Sequence, residues 1–368
     1  LQIQTNTTRA FAAAGEYRFM PLRLAVDARV VVEDTRGIGR YARAILRRLA
    51  ALDDVDLTLL AHGPFVFRHR AAYERALGSD RFSLRSSAGN AAVVWHPANG
   101  TFFPSKLPSV VTIHDAVPFR YADPDAKRRA HAQEPFLRSA RSATHVVAVS
   151  EFGRSEIHDV FGVPLDRVTT IYHGVEPSFS PGPAVPLPPG ITEGRYFLFV
   201  GDPIGEPRKN FDVLYRAYSE AWPAGDGPTI VVAGPRAPSL RGVVHAGNLG
   251  DDLTSRTNEG LRALYRGAIA LTMASYHETF GMPMVEAMAC GTPVLASDAS
   301  CLPEIAGEAA LYAPFADVSA WCDRLRFVSR DAAVRDRLRI AGLDRATQFN
   351  WDESAERHVE VFARAAVS

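Results

Sequence analysis

From Leu22 onward, short apolar runs alternate with helix-patterned stretches, stop at a proline-rich break, and then start again. The first series predicts strands at Leu22–Asp27, Leu57–Leu60, Ala92–Trp95, Ser109–Ile113, His145–Val149 and Val168–Ile171, with helices such as Arg40–Ala50 and Pro124–Arg141 between them. The break is Ser180–Glu193 (SPGPAVPLPPGITE), which has the composition of a linker. The second series runs through Tyr196–Val200, Thr229–Ala233, Val243–Ala246, Ile269–Met273 and Val294–Ser297. Alternation of this kind implies parallel sheets covered by helices on both faces. Two such blocks predict an α/β chain of two Rossmann-like domains facing a central cleft, spanning 20–180 and 194–349. Residues 350–368 form a helix that either clasps both domains or packs on its own. Residues 1–19 read as an extension before a natural start at Met20.

At 368 residues the chain is long enough for two domains. No apolar run reaches the length of a membrane span. Cys290, Cys301 and Cys322 form no disulfide or metal-ligand spacing, which fits a reducing cytoplasm. No nucleic-acid partner is expected; the 41 basic and 41 acidic residues cancel, but they are not evenly spread. The first half is basic and the second acidic. The basic half either faces an anionic acceptor or lipid surface, or carries ordinary solvated charge. The same two readings apply to the basic helix Pro124–Arg141.

Ligands of open parallel sheets bind beyond the carboxyl ends of the strands, so motifs that follow strands carry the most weight. After Ile269–Met273 comes YHETFGMPMVEAMACG, residues 276–291. It places Glu278 in a loop and Glu286 in the first turn of a short helix. Pro283 suits the helix start and Gly291 its end. Amides near Gly281 then face back toward the loop, making a phosphate cradle with two carboxylates beside it. Such a site suits a ligand bearing both hydroxyls and phosphates. After Tyr196–Val200 comes GDPIGEPRKN, whose Arg208 and Lys209 are placed to neutralise a diphosphate leaving group.

In the first half, Gly37, Gly39 and Ala42 have the spacing of a dinucleotide fingerprint. A polar insertion separates them from the strand, and no acid ends the next strand to hold a ribose. They read better as a flexible glycine loop bordering the cleft, or as a plain helix start. His114 ends the strand Ser109–Ile113, where it is placed to bond a sugar hydroxyl or assist a proton. Ser150 reads as a helix cap, with Arg154 one turn further on and within reach of the cleft.

These residues resemble the GT-B retaining glycosyltransferases of family 4, over about Leu22 to Arg364. The most specific part is HETFGMPMVEAMACGTPVLASDASCLPEIAGEAAL (277–311), similar to that family's E-x7-E signature, supported by LFVGDPIGEPRKN, VVAVSEFGRSEI, YHGVEP and LRALYRGA. Within the family, bacterial mannosyl- and rhamnosyltransferases of surface polysaccharides are most similar. The resemblance implies an acceptor domain first and a nucleotide-sugar donor domain second. Glu278, His114 and Lys209 would serve catalysis. Glu278 would hold donor-sugar hydroxyls, Glu286 the ribose, and the amides of Phe280, Gly281 and Met282 the sugar and phosphate. Arg208 and Lys209 would clamp the diphosphate, while Gly37 and Gly39 would form the N-terminal glycine loop. Base contacts are expected near Gly247–Gly250. No metal or other cofactor is implied. The donor expected is GDP-mannose and the acceptor a lipid-linked glycan or polysaccharide, at the inner face of the cytoplasmic membrane. One departure stands out: Asp202 occupies a position where many relatives carry arginine. Other readings are an epimerase or phosphorylase of the same fold and, more distantly, a nicotinamide-dependent oxidoreductase using Gly37–Ala42.

Overall fold

A computed structural model describes residues 21–34, 37–61, 66–100, 103, 105–183, 186–249 and 259–368. The expected extension 1–19, the start at Met20, the insertion residues 35–36 and the end of the base-contact loop at Gly250 lie outside these.

The first sheet holds β1 Leu22–Asp27, β2 Val55–Leu60, β3 Ser83–Arg85, β4 Val93–His96, β5 Ser109–Ile113, β6 His145–Ala148 and β7 Val168–Thr170. Its spatial order is β3-β2-β1-β4-β5-β6-β7. The second holds β8 Tyr196–Val200, β9 Thr229–Ala233, β10 Val243–Gly247, β11 Ala270–Met273, β12 Val294–Ser297 and β13 Ala310–Ala313, in the order β10-β9-β8-β11-β12-β13. Every ladder described is parallel. Central strands such as β4, β11 and β12 are buried along their whole length, as apolar strands between two helical layers must be. Each sheet reverses its order beside its first strand. The two switch points put the loops after β1, β4, β8 and β11 on the cleft between the lobes.

The helix Trp351–Ala366 leaves the second lobe and packs on the first. Trp351, Ala355, Val359, Phe362 and Ala365 share a core with Leu24, Tyr41, Ile45 and Trp95. Asn350 caps it by accepting from the Asp352 amide at 2.7 Å. Fully buried beneath it is a polar chain. Trp95 Nε1 donates to Thr112 Oγ1 at 3.1 Å, which lies 2.9 Å from Tyr41 Oη. Tyr41 donates to His358 Nε2 at 2.6 Å, and His358 Nδ1 donates to the Ser354 carbonyl at 2.6 Å.

The glycine loop is corrected. Gly37 and Gly39 lie in the first turn of the helix Gly37–Leu49, and a short helix, Arg29–Glu33, fills the space after β1. A Cβ on Gly39 would stand 1.7 Å from the Asp34 carbonyl oxygen, so this glycine lets two backbones touch. The intervening helix also removes the tight strand-to-glycine turn that a dinucleotide fingerprint needs.

Candidate active site

The site begins where β8 and β9 end. Gly201 has φ +140°, and a Cβ on Gly234 would sit 1.9 Å from the Gly201 carbonyl oxygen, so the two strand ends meet backbone to backbone. The stem of Lys209 lies over the gap left by the missing Gly201 side chain. Lys209 and Arg208 come from the 3-10 turn Pro207–Lys209. Asn210 closes that turn in the left-handed region (φ 56°). Its side-chain amide donates to the carbonyls of Ala274 at 2.9 Å and Phe315 at 2.7 Å, tying the β8 loop to those after β11 and β13. Backbone strain at such positions persists only where surroundings hold it.

The β8 and β11 loops meet at Glu278, which is 7% exposed. Its Oε1 accepts from Lys209 Nζ at 2.7 Å and Ser275 Oγ at 2.9 Å, and its Oε2 from Arg208 at 3.1 Å. The Glu278 amide donates to Ser300 Oγ at 3.0 Å, from a serine that is also left-handed (φ 54°). Burial pushes this carboxyl up, but the Lys209 and Arg208 charges outweigh it and hold Glu278 at about 2. The sequence expected a sugar carboxylate and a separate diphosphate clamp; the structure joins them into one charge cluster.

Glu286 is corrected in place. It lies in the second turn of the helix Met282–Ala289, not the first, and is 1% exposed. It accepts from Tyr265 Oη at 2.9 Å and pairs with Arg40 of the first lobe. Gly281, with φ +81°, caps this helix from the left-handed region; Pro283 has no amide hydrogen and the Met284 amide donates to the Gly281 carbonyl at 2.9 Å. The Phe280 ring is buried against His173 and Phe349, so only its backbone is available to a ligand. Met282 opens the helix and packs against the cores of both lobes.

His114 is buried, not presented on the cleft wall. Its Nε2 donates to the Pro97 carbonyl at 2.8 Å, and its ring stacks on His173 with centroids 5.6 Å apart. Burial holds it below the ordinary histidine range, hence neutral, with Nδ1 as an acceptor. Gly37 does line the cleft. Asp202 turns away: it accepts from the Ile204 and Gly205 amides and pairs with Arg236, stiffening the β8 turn. Arg154 is likewise turned away, onto Glu151 and the Leu165 carbonyl. Ser150 caps its helix as expected, accepting from Gly153 at 2.9 Å.

Other residues join the lobes and were not foreseen. His277 Nε2 lies 3.0 Å from Glu156, which also takes Arg120 at 2.8 Å. Glu304, from the second lobe, accepts the Glu151 and Phe152 amides at 2.7 and 2.9 Å, and the Tyr172 hydroxyl at 2.9 Å. A carboxylate thus caps a helix across the lobe boundary. Pairings between residues more than a hundred positions apart leave no local signal. Between the lobes lies a cleft of about 710 Å³, open to solvent and bordered by Arg208.

Two parallel-sheet lobes with buried charge at facing strand ends define a GT-B glycosyltransferase. The profile for glycosyl transferases group 1 matches residues 194–331, and that for glycosyltransferase family 4 matches residues 35–179. The chain belongs to this family. It is 28% identical to O-antigen chain mannosyltransferase B of Escherichia coli, over 89% of this chain and 95% of that one. A D-inositol 3-phosphate glycosyltransferase of Kineococcus radiotolerans is also 28% identical, over 61% of this chain but only 58% of its own length. Among solved structures, sucrose-phosphate synthase from Thermosynechococcus elongatus superimposes with a TM-score of 0.66 at 18% identity, covering 94% of this chain and all of that one. Anabaena HepE in complex with UDP and glucose gives 0.64 at 14%, covering 93% and 99%. At these identities the structures speak for the fold alone. Among the described residues, no helix is long and apolar enough to cross a membrane.

Proposed function

We propose that this glycosyltransferase moves mannose from GDP-mannose to a polysaccharide or lipid-linked glycan, with retention at the anomeric carbon. The observation that carries the reading is the Glu278–Lys209–Arg208 cluster at the edge of the cleft. A nucleotide-sugar diphosphate entering here takes over the two cations, which neutralise the charge that builds on the departing phosphate. Glu278, freed of part of that pairing, accepts hydrogen bonds from sugar hydroxyls. The bond between the anomeric carbon and the bridging phosphate oxygen breaks, the acceptor oxygen bonds to that carbon on the same face, and the acceptor proton passes to the departing phosphate oxygen. Arg208 and Lys209 supply the countercharge a divalent ion would otherwise give, so turnover should survive chelation with EDTA.

Glu286 remains the carboxylate for the ribose, with Arg40 swinging aside or staying as a second cation. The mannose assignment is supported by the similarity to the O-antigen mannosyltransferase. Work at the inner membrane face belongs to the same reading. A thermal-shift panel of GDP, UDP, dTDP and ADP with their sugars tests the donor. GDP-mannose should give the largest shift, lost in Lys209→Ala and Glu286→Ala. A larger shift with another nucleotide would replace the donor, and an inverted anomer in the product NMR spectrum would overturn retention. Isomerised donor without acceptor would indicate an epimerase.

A further inference from the structure

Glu278 belongs to the second lobe, but both of its neighbours in the chain are held by the first. His277 and Thr279 are each seated against the helix Glu151–Phe161. The His277 ring enters a socket of first-lobe residues. Its Nε2 meets the two Glu156 oxygens at 3.0 and 3.1 Å, and Phe152 and Tyr121 meet the ring edge-on, with centroids 5.8 and 5.7 Å away. Burial pushes the Glu156 carboxyl up, but the hydrogen bonds from His277 and Arg120 outweigh it and hold it below the ordinary carboxylate range, so it stays an acceptor. Thr279 is gripped by shape. A Cβ on Gly153 would stand 2.8 Å from the Thr279 methyl carbon, against the 3.4–4 Å of ordinary contact. Alanine is the better helix former, so the glycine is explained by this close approach and not by the helix it sits in.

Between these two anchors Glu278 faces the other way, onto Lys209, Arg208 and Ser275 of its own lobe. The His277 carbonyl takes Arg208 as well, at 3.3 Å. The carboxylate and the cation beside it are thus tied to a stretch of backbone that the first lobe fixes on either side. A reacting group misplaced by about 1 Å can lose about a hundredfold in rate, so contacts this close to Glu278 bear on turnover as well as on packing.

We infer that the helix Glu151–Phe161 sets Glu278 for reaction. Glu156, through His277, and Gly153, through Thr279, are positioning residues, and the carboxylate is in register only while the lobes are closed on each other. The inference rests on the role given to Glu278 above and extends it to residues of the other lobe. Hydrogen exchange on the ligand-free protein tests it without any donor. The amides of Tyr276 and Glu278 donate to the Arg208 carbonyl and to Ser300 Oγ, each at 3.0 Å. In Glu156→Ala and in Gly153→Ala both amides should exchange about tenfold faster, with β11 and β12 unchanged. Release of GDP from GDP-mannose, with methyl α-mannoside as acceptor, gives the kinetic split. Both variants should lose about tenfold or more in kcat, with KM for GDP-mannose and the GDP-induced melting shift close to those of the unaltered protein. Glu156→Gln keeps an acceptor for His277 and should recover most of the loss. Adding Thr279→Ser to Gly153→Ala should do the same, because it removes the methyl that the new Cβ strikes. Unchanged exchange overturns the inference. So does faster exchange with full kcat, a loss confined to KM, or a double variant no better than Gly153→Ala. If the unaltered protein leaves GDP-mannose untouched, the donor reading fails, and the exchange rates and their recovery in the double variant decide for or against the positioning helix.

Discussion

At the residue scale, Glu278 and Lys209 hold each other in a buried ion pair at 2.7 Å. Removing one partner of a buried pair strands the other charge, which typically costs about 3–5 kcal/mol. Because Arg208 still pairs with Glu278, Lys209→Met should lower the urea-unfolding free energy by less than that amount, and adding Glu278→Gln should recover part of it. Independent losses in the two changes would mean that the pair is not coupled. The two glycines of the first lobe make a second contrast. Gly39→Ala forces a Cβ into the Asp34 carbonyl and should destabilise by about 3 kcal/mol or more. Gly37→Ala meets open space in a helix and should leave stability unchanged or raise it by up to about 1 kcal/mol. Because Gly37 lines the cleft, any loss of turnover in that variant would report on substrate. Glu278, Arg208 and Lys209 were legible because each follows a strand. That Arg40 closes on Glu286, and that His114 spends its Nε2 on Pro97, depend on how the lobes pack and leave no pattern in the chain.

At the scale of elements, the long strands were readable because their apolar runs are continuous and bounded by turns. The two missed, β3 and β13, are three and four residues long and are partly exposed. β7 and β12 are as short and were read, so length alone does not separate them; β3 holds one apolar residue, Leu84, between Ser83 and Arg85 and offers no apolar run. The glycine segment was misread for a different reason: Gly37 and Gly39 are poor helix formers, and tertiary contact with Asp34 overrode their propensity. The cross-lobe cap at Glu304 gives a prediction at this scale. Glu304→Ala removes acceptors from two amides at the start of the helix Glu151–Phe161, a loss of about 0.5–2 kcal/mol by analogy with N-caps. Since the cap belongs to the other lobe, the same change should raise the radius of gyration measured by small-angle scattering. An unchanged scattering curve would show that the lobes are held by other contacts.

For the whole molecule, three buried histidines, His358 on the helix Trp351–Ala366 and His114 and His173 near it, set how stability depends on pH. Burial lowers His114, takes His173 well below 6.5, and brings His358 to about 4. Each is neutral in the fold and protonates near 6.5 once unfolded. The unfolded chain therefore binds more protons, and stability present above about 6.5 is lost as pH falls toward about 4. The slope is up to ~1.4 kcal/mol per pH unit for each histidine. Glu278 acts in a lower window: its contribution is present above the ordinary carboxylate range and lost as pH falls toward about 2. Denaturant titrations between pH 7 and 4 should show the histidine slope, and His358→Gln should reduce it by one proton's worth. A flat profile would mean that these rings protonate inside the fold.

The helix Trp351–Ala366 also orders events in time. Its Trp351 and Phe362 fill the core of the lobe whose strands are synthesised first. Domains usually fold as they leave the ribosome, the earlier one first. Here the earlier lobe waits with an open apolar face while the whole second sheet is made and folds behind it. Completion of the second lobe then becomes the step that delivers the missing piece of the first.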